Sequence, residues 1–362
     1  MASDDQIARL RLIRSDNIGP VTYFQLLARF GSATAAIEAI PDLAARGGGR
    51  APKLAPRTAV EREIERVAEL GARYLFLGQG LYPPLLAELE TAPPALVVKG
   101  QLSLLDKPAI AMVGARNASA AACRFARTLA QDLGNAGAVI VSGLARGIDT
   151  AAHDGSLDTG TIAVIAGGID VAYPPENEER QQAISERGLL IAEQPPGVEP
   201  RARHFPYRNR IIAGLAHGTV VVEAAPNSGS LITARYATES GREVMAVPGS
   251  PLDPRARGCN QLIREGATLV QNAEDVLEAI RPFKLRPLAQ KGLDYTAPAA
   301  SADAEEADRR TVVDLLSPTS VPVDEIIRQS GLAPAVVQTV LLELELAGRL
   351  ERHAGGKVSL AA

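Results

Sequence analysis

Between His204 and Gly214 the chain reads HFPYRNRIIAG. Two rings, Phe205 and Tyr207, stand beside two arginines, Arg208 and Arg210, and Arg201 and Arg203 come just before them. Four guanidiniums and no acid between residues 201 and 210 can follow a polyanion, and the rings offer flat faces to bases. Stacking a base on an aromatic side chain contributes ~1–3 kcal/mol and needs no particular sequence. The stretch also fits a plainer place, with the rings in the core and the arginines on a solvated face. Taken alone it does not choose between the two.

Three further motifs each follow a strand signal. In Met112-Val113-Gly114-Ala115-Arg116-Asn117-Ala118-Ser119, Gly114 permits a sharp turn, Ser119 is placed to cap the next helix, and Arg116 adds a bidentate phosphate donor. In Ser142-Gly143-Leu144-Ala145-Arg146-Gly147-Ile148-Asp149, two glycines and a serine suit a phosphate cradle. No lysine follows Gly147, and the spacing is not G-x-G-x-x-G, so neither ATP nor a dinucleotide cofactor is expected. Asp149 and His153 lie four apart on a helix: a polar pair, an acid–base device or a metal site. One His and one Asp are too few ligands for a metal, and a hydrogen-bonded structural pair is the expectation. In the third motif, Glu223 to Thr233, Gly229 and Ser230 open a helix whose free amides attract an anion. Glu223, at a strand end, is expected to anchor a loop rather than to catalyse. Three anion-ready loops at one sheet edge favour the polyanion reading of the arginine stretch.

The elements that must hold these loops are legible as apolar runs rich in Val and Ile: residues 95–98, 109–113, 138–142, 161–166, 189–192, 219–223 and 243–247. Continuous apolar runs mark strands buried on both faces, hence a Rossmann-like, mostly parallel α/β sheet over residues 71–280 with its ligand at the carboxyl ends of the strands. Residues 1–70 read as a small helical domain, SAM- or HhH-like. Ile7, Leu10 and Ile13 make one helical face and Phe24, Leu27 and Ala28 another, with Asn17-Ile18-Gly19-Pro20 as a tight break and Gly47-Gly48-Gly49-Arg50 as a loop. That break is read as a plain helical turn rather than a phosphate-binding hairpin. Residues 281–308, rich in Pro and Ala with a small acidic cluster, read as a linker. Residues 309–362 have the order of a winged helix, its third helix starting at Pro334 with Val336, Val337, Val340, Leu341 and Leu344 on the core face.

Composition narrows the class. The 362 residues carry a formal charge of −4, so any nucleic-acid footprint is local. Cys123 and Cys259 give neither a disulfide framework nor metal-ligand spacing, which fits a reducing cytoplasm. The opening MASDDQ lacks an apolar leader core and no run is long enough to span a membrane, so neither export nor a membrane partner is expected.

Residues 80–285 resemble the Smf/DprA family, bacterial DNA-processing protein A. The matching words are GLYPPLL (80–86), VGARN (113–117), SGLARGIDTAAH (142–153), AVIAGGIDVAYPPEN (163–177), FPYRNRIIAG (205–214), EAAPNSGSLITARYA (223–237) and REVMAVPG (242–249). The resemblance implies a core that binds single-stranded DNA, protects incoming strands in natural transformation (competence) and helps load the RecA recombinase, commonly as a homodimer. It implies no catalytic residue and no cofactor. The implied DNA- and phosphate-binding set is Gly114, Arg116, Asn117, Ser142, Gly143, Arg146, Phe205, Arg208, Asn209, Arg210, Gly229 and Ser230. The family's Gly-Ser-Arg word reads here Gly114-Ala115-Arg116, losing one hydroxyl donor, and Ala121-Ala122 stand where a Tyr-Gly is common. The alternative is a nucleotide-binding phosphoribohydrolase of the lysine-decarboxylase-like family. Its P-G-G-x-G-T-x-x-E word would fall at Pro226 to Thr233, where the second glycine and the glutamate are missing.

The winged helix carries six basic and six acidic residues over 309–362, and its third helix has Glu343 and Glu345 but no basic residue. Such a helix offers no bidentate arginine to guanine and its acids would repel phosphates. The unit is therefore expected to serve protein contacts.

Overall fold

Three serine, glycine and proline signals start the N-terminal helices. In the computed structural model, which describes residues 2–281, 303–353 and 355–361, helix α1 (Asp4–Ile13) begins at a capping box between Ser3 and Gln6. Helix α2 (Pro20–Phe30) takes Pro20 in its first turn, where the missing N–H costs nothing, and ends at Gly31 in the left-handed region. Ser32 caps α3 (Ala33–Arg46), and α4 (Arg57–Glu69) follows. Leu10, Leu12, Tyr23, Leu26 and Ile40 are fully buried among these helices. The Asn17–Pro20 break is the turn between α1 and α2.

The chain forms two compact units, Glu65–Gln290 and Met1–Ile64 with Lys291–Ala362. The first holds β1 (Arg73–Phe76), the short α5 (Pro84–Ala87), β2 (Ala95–Gly100), β3 (Ala109–Val113), α6 (Ala120–Asn135), β4 (Val139–Ser142), α7 (Ile148–Ser156), β5 (Thr161–Ile165), α8 (Glu178–Arg187), β6 (Leu189–Ala192), α9 (His204–Leu215), β7 (Gly218–Val221), α10 (Gly229–Glu239), β8 (Glu243–Ala246), α11 (Arg257–Arg264), β9 (Thr268–Leu269) and α12 (Ala273–Ala279). All seven expected strands form, within one or two residues at their ends. The two extra strands, β1 and β9, lie at the edges of the sheet, whose order is β1-β2-β6-β5-β4-β3-β7-β8-β9. From β6 to β9 every pairing is parallel; β1 and β2 run antiparallel at one edge. Edge strands are half-wet, so they lack the continuous apolar run that betrays a central strand.

The order reverses at β3. From β3 the chain builds outward through β4, β5 and β6, then returns to lay β7 on the other side of β3. Such a switch point opens a crevice at the carboxyl ends of the strands. Beneath it, Ile110, Met112, Ile140, Val220 and Met245 pack against Leu129 and Leu133 of α6 and Ile148 of α7. Full burial of each such side chain contributes about 1.5–3 kcal/mol, and it fixes the strand ends from which the loops spring. Farther along the same face, Ile165 and Leu190 pack with Leu144 and with Ile184 of α8.

The second unit contains the winged helix: α13 (Glu306–Asp314), β10 (Val321–Pro322), α14 (Val323–Ser330), α15 (Pro334–Leu346), β11 (Leu350–His353) and β12 (Lys357–Leu360), with sheet order β10-β12-β11. The third helix begins at Pro334 as read from the sequence, and Val337, Val340, Leu341 and Leu344 are buried in its core. Helix α13 starts inside the stretch expected to be linker, because Glu305 and Asp308 form a capping box there. Residues 282–302 of that linker lie outside the described residues.

Candidate nucleic-acid interface

Two loops at the switch point interlock. In the loop after β3, Ser119 caps α6 by accepting the Ala122 N–H at 3.1 Å. Glu223 reaches across from the end of β7: its carboxylate accepts the Ser119 N–H at 3.0 Å and the Ser119 hydroxyl at 2.7 Å. Glu223 is thus the loop anchor the sequence predicts. A side chain at Gly114 would meet Ile148 at 2.6 Å, so this glycine serves close packing of the loop on α7. Arg116 and Asn117 stand exposed beyond it.

The loop after β4 is tied more tightly. Asp149 accepts the N–H groups of Gly143 (3.2 Å) and Ala145 (3.3 Å), and Asn177 donates to the carbonyl of Leu144 at 2.9 Å. Between those ties Leu144 holds φ at 55°, a left-handed conformation for a buried leucine. Such strain costs roughly 1–3 kcal/mol and persists only where the surroundings enforce it. The Ile148 N–H donates to Ala115 O at 3.3 Å, locking this loop to the previous one. The expected Asp149–His153 pair does not form. Asp149 turns to the loop, while His153 shares a 2.7 Å hydrogen bond with Thr161 on β5. Both are buried, and burial dominates their acidities. It raises the Asp149 pKa against the pull of Arg208, and lowers that of His153 to about 3, with help from Arg180.

The arginine stretch is not a continuous strip but the first turns of α9. At 100° per residue, Phe205, Arg208 and Asn209 share one side, while Tyr207 and Arg210 fall on the other. The expectation that the arginines of this stretch follow a polyanion together is corrected for Arg210, which faces away from Arg208. Arg210 is buried and ion-paired to Glu193, with a second bond to Thr91 O, so it has no free donor face for a phosphate. Asn209 is buried and donates to Gly229 O at 3.3 Å, tying α9 to the start of α10. Ser142 is buried and spends its hydroxyl on Met112 O at 2.6 Å. Gly229 and Ser230 open α10 behind the Ser228 cap, as expected, but neither lines the pocket described next.

Arg116, Gly143, Arg146, Tyr173, Phe205 and Arg208 surround one pocket at the carboxyl ends of β3, β4 and β5. The Arg116 guanidinium lies 5.2 Å from the centre of the Phe205 ring and that of Arg208 5.9 Å from it, both within cation–π reach. Tyr173, half exposed, packs its ring 5.6 Å from that of Phe205. Arg208 forms the buried wall, its side chain 8 % exposed. Its nearest acid oxygen, on Asp149, is 3.9 Å away, and its Nε has no hydrogen-bond partner. Burial lowers the Arg208 pKa, opposed by the Asp149 charge. A side chain at Gly143 would sit 1.5 Å from the Arg208 guanidinium, so only glycine leaves room for it. An under-bonded guanidinium beside a second arginine and two rings has the chemistry to take one phosphate and one flat apolar group. Sequence reasoning passes over Tyr173 and Asn177, though the word YPPEN carries both; it also gives Asp149 the wrong partner.

Among the described residues no helix is long and apolar enough to cross a membrane, and no group of three or more His, Cys, Asp or Glu is placed to hold a metal ion.

Residues 73–281 match the family described as DNA recombination-mediator protein A, residues 3–65 a DprA-like N-terminal HHH domain, and residues 296–356 a DprA winged helix domain. Protein Smf of Escherichia coli is 37% identical over 315 residues, spanning 84% of this chain and 82% of that protein. DNA processing protein DprA of Streptococcus pneumoniae is 50% identical over 198 residues, 54% of this chain and 70% of that one. The X-ray structure of the Streptococcus pneumoniae protein superposes with a TM-score of 0.64 at 35% identity, covering 76% of this chain and 98% of that one. The structure of DNA processing protein A from Helicobacter pylori, which binds single-stranded DNA, gives a TM-score of 0.53 at 29% identity, covering 58% and 96%.

Proposed function

We propose, from the premise that this chain belongs to the DprA/Smf family of DNA-processing proteins, that its core binds single-stranded DNA and hands it to recombination. One observation carries the reading: the buried Arg208, with an unpartnered Nε, faces a pocket it shares with Arg116, Phe205 and Tyr173. Arg208 and Arg116 take a backbone phosphate, and the two rings take a base that a duplex would keep stacked. Arg146, exposed at the pocket rim, adds attraction along the strand. Protection of incoming strands in natural transformation, delivery to a RecA-type recombinase in the cytoplasm, and action as a homodimer are the roles the family premise adds to that site.

The protein is a binder, not an enzyme, in this reading. The hydrolase alternative needs a glutamate that the Pro226–Thr233 stretch does not supply. Incubation with AMP is expected to release no adenine. The direct test is titration of labelled single-stranded and blunt duplex oligonucleotides at two salt concentrations. Preference for the single strand, weakening steeply with salt through counterion release, is expected. Equal affinity for duplex at matched salt would overturn the proposal.

A further inference from the structure

The third helix of a winged helix ordinarily presents one apolar face to its own core and one polar face to the major groove. Helix α15 has no such free face. Val337, Val340, Leu341 and Leu344 fill the winged-helix core, while Leu342 and Leu346, 3 % and 0 % exposed, belong to a second apolar cluster with Leu12, Leu26, Ile40 and Leu43 of the N-terminal helices. A polar rim closes around that second cluster. Gln25 donates to Gln338 at 2.9 Å, Arg29 to Thr339 at 3.1 Å, and Arg349 to Gly47 O at 3.0 Å. Asp303 pairs with Arg29 at 2.6 Å.

The acids of α15 are also accounted for. Glu343, fully buried, takes a bidentate pair from Arg309 at 2.8 and 3.0 Å, and Glu345 pairs with Arg352 at 2.8 Å. Repulsion of phosphates by exposed acids is therefore not what keeps this helix from DNA; burial is. The Gly47-Gly48-Gly49 run, a plain loop in the sequence, has its reason here. A side chain on Gly47 would lie 2.1 Å from Glu343 O, and one on Gly49 2.3 Å from Ala347 O. Backbone meets backbone at the end of α15, and only glycine allows it.

We infer that the N-terminal helical domain is the built-in partner of the winged helix. The two ends of the chain form one module, held by the α3–α15 contact rather than by their covalent connection, and this module seals the helix that would otherwise read duplex DNA. An apolar centre with a hydrogen-bonded rim is the anatomy of a stable protein interface.

The test is made on the full chain with residues 290–296 replaced by a site-specific protease sequence. After cleavage, the C-terminal fragment is expected to co-elute with the remainder in size-exclusion chromatography as a single peak. Gly47→Val, which leaves the winged-helix sequence untouched, is expected to release the fragment as a separate peak that keeps its helical circular dichroism. Leu346→Asp should release it from the other side. Separate elution of the cut, unsubstituted fragment would overturn the inference, as would continued co-elution of the cut Gly47→Val chain.

Discussion

Within one short helix, two arginines two residues apart have opposite assignments. Arg208 is under-bonded beside a pocket; Arg210 is satisfied in a buried ion pair. Arg208→Lys keeps the counter-charge to Asp149 but loses the planar fork, and is expected to weaken single-strand binding about tenfold, the worth of one charge-assisted hydrogen bond. Arg116→Ala should reduce the slope of log affinity against log salt by about 0.7, one phosphate contact, without changing sequence preference. Arg210→Ala should instead lower the melting temperature, since stripping one partner from a buried pair costs about 3–5 kcal/mol. Unchanged melting with lost binding would reverse that assignment. Phe205, only partly buried at the pocket, is expected to lose binding as alanine with little change in melting. His153 is buried against Thr161 on β5. Its folded pKa, about 3, lies below the unfolded value near 6.5. The unfolded chain therefore binds the extra proton, and stability falls as pH drops from about 6.5 towards about 3. Melting curves of the protein and of His153→Gln should converge in sensitivity at pH 7 and diverge below pH 6, with the variant losing less.

The loop between β4 and α7 sets the pocket. It holds Leu144 in a left-handed conformation, and Gly143 makes room for a guanidinium. The ties from Asp149 and Asn177 hold that strained shape with the protein's own groups, which is preorganisation in the ordinary sense. Gly143→Ala is expected to displace Arg208 and abolish most binding while the sheet beneath stays folded, measured as lost affinity with a far-ultraviolet spectrum unchanged. The glycine-and-serine composition of this loop was legible as a cradle. Its contact with an arginine 65 residues later was not, because that approach is made by α9 packing against β3, β4 and β5, and no local spacing encodes it.

At the scale of the whole molecule, the sheet unit carries both the pocket and its supporting cores, and the other unit pairs the two chain ends. Removing residues 285–362 alone would bare Leu12, Leu26, Ile40 and Leu43 where Leu342 and Leu346 now cover them, inviting aggregation. Removing both ends avoids this. The piece 65–290 is expected to keep single-strand affinity within a few-fold of the full chain at matched salt; loss of most of it would move part of the DNA site onto the end module.

The amino-acid sequence determined the α/β class, all seven central strands, the start of α15 and the loops that bear the site. These are local properties: an apolar run of the right length, a capping serine, a glycine after a strand. It did not determine which arginine of the HFPYRNRIIAG stretch meets a ligand. That depended on the stretch being helical and on which face of α9 met the crevice. Nor did it reveal that Leu342 and Leu346 face helices some 300 residues away, since a second apolar row on a helix reads the same whatever covers it. Local periodicity reports that a surface is buried; only the tertiary fold decides against what.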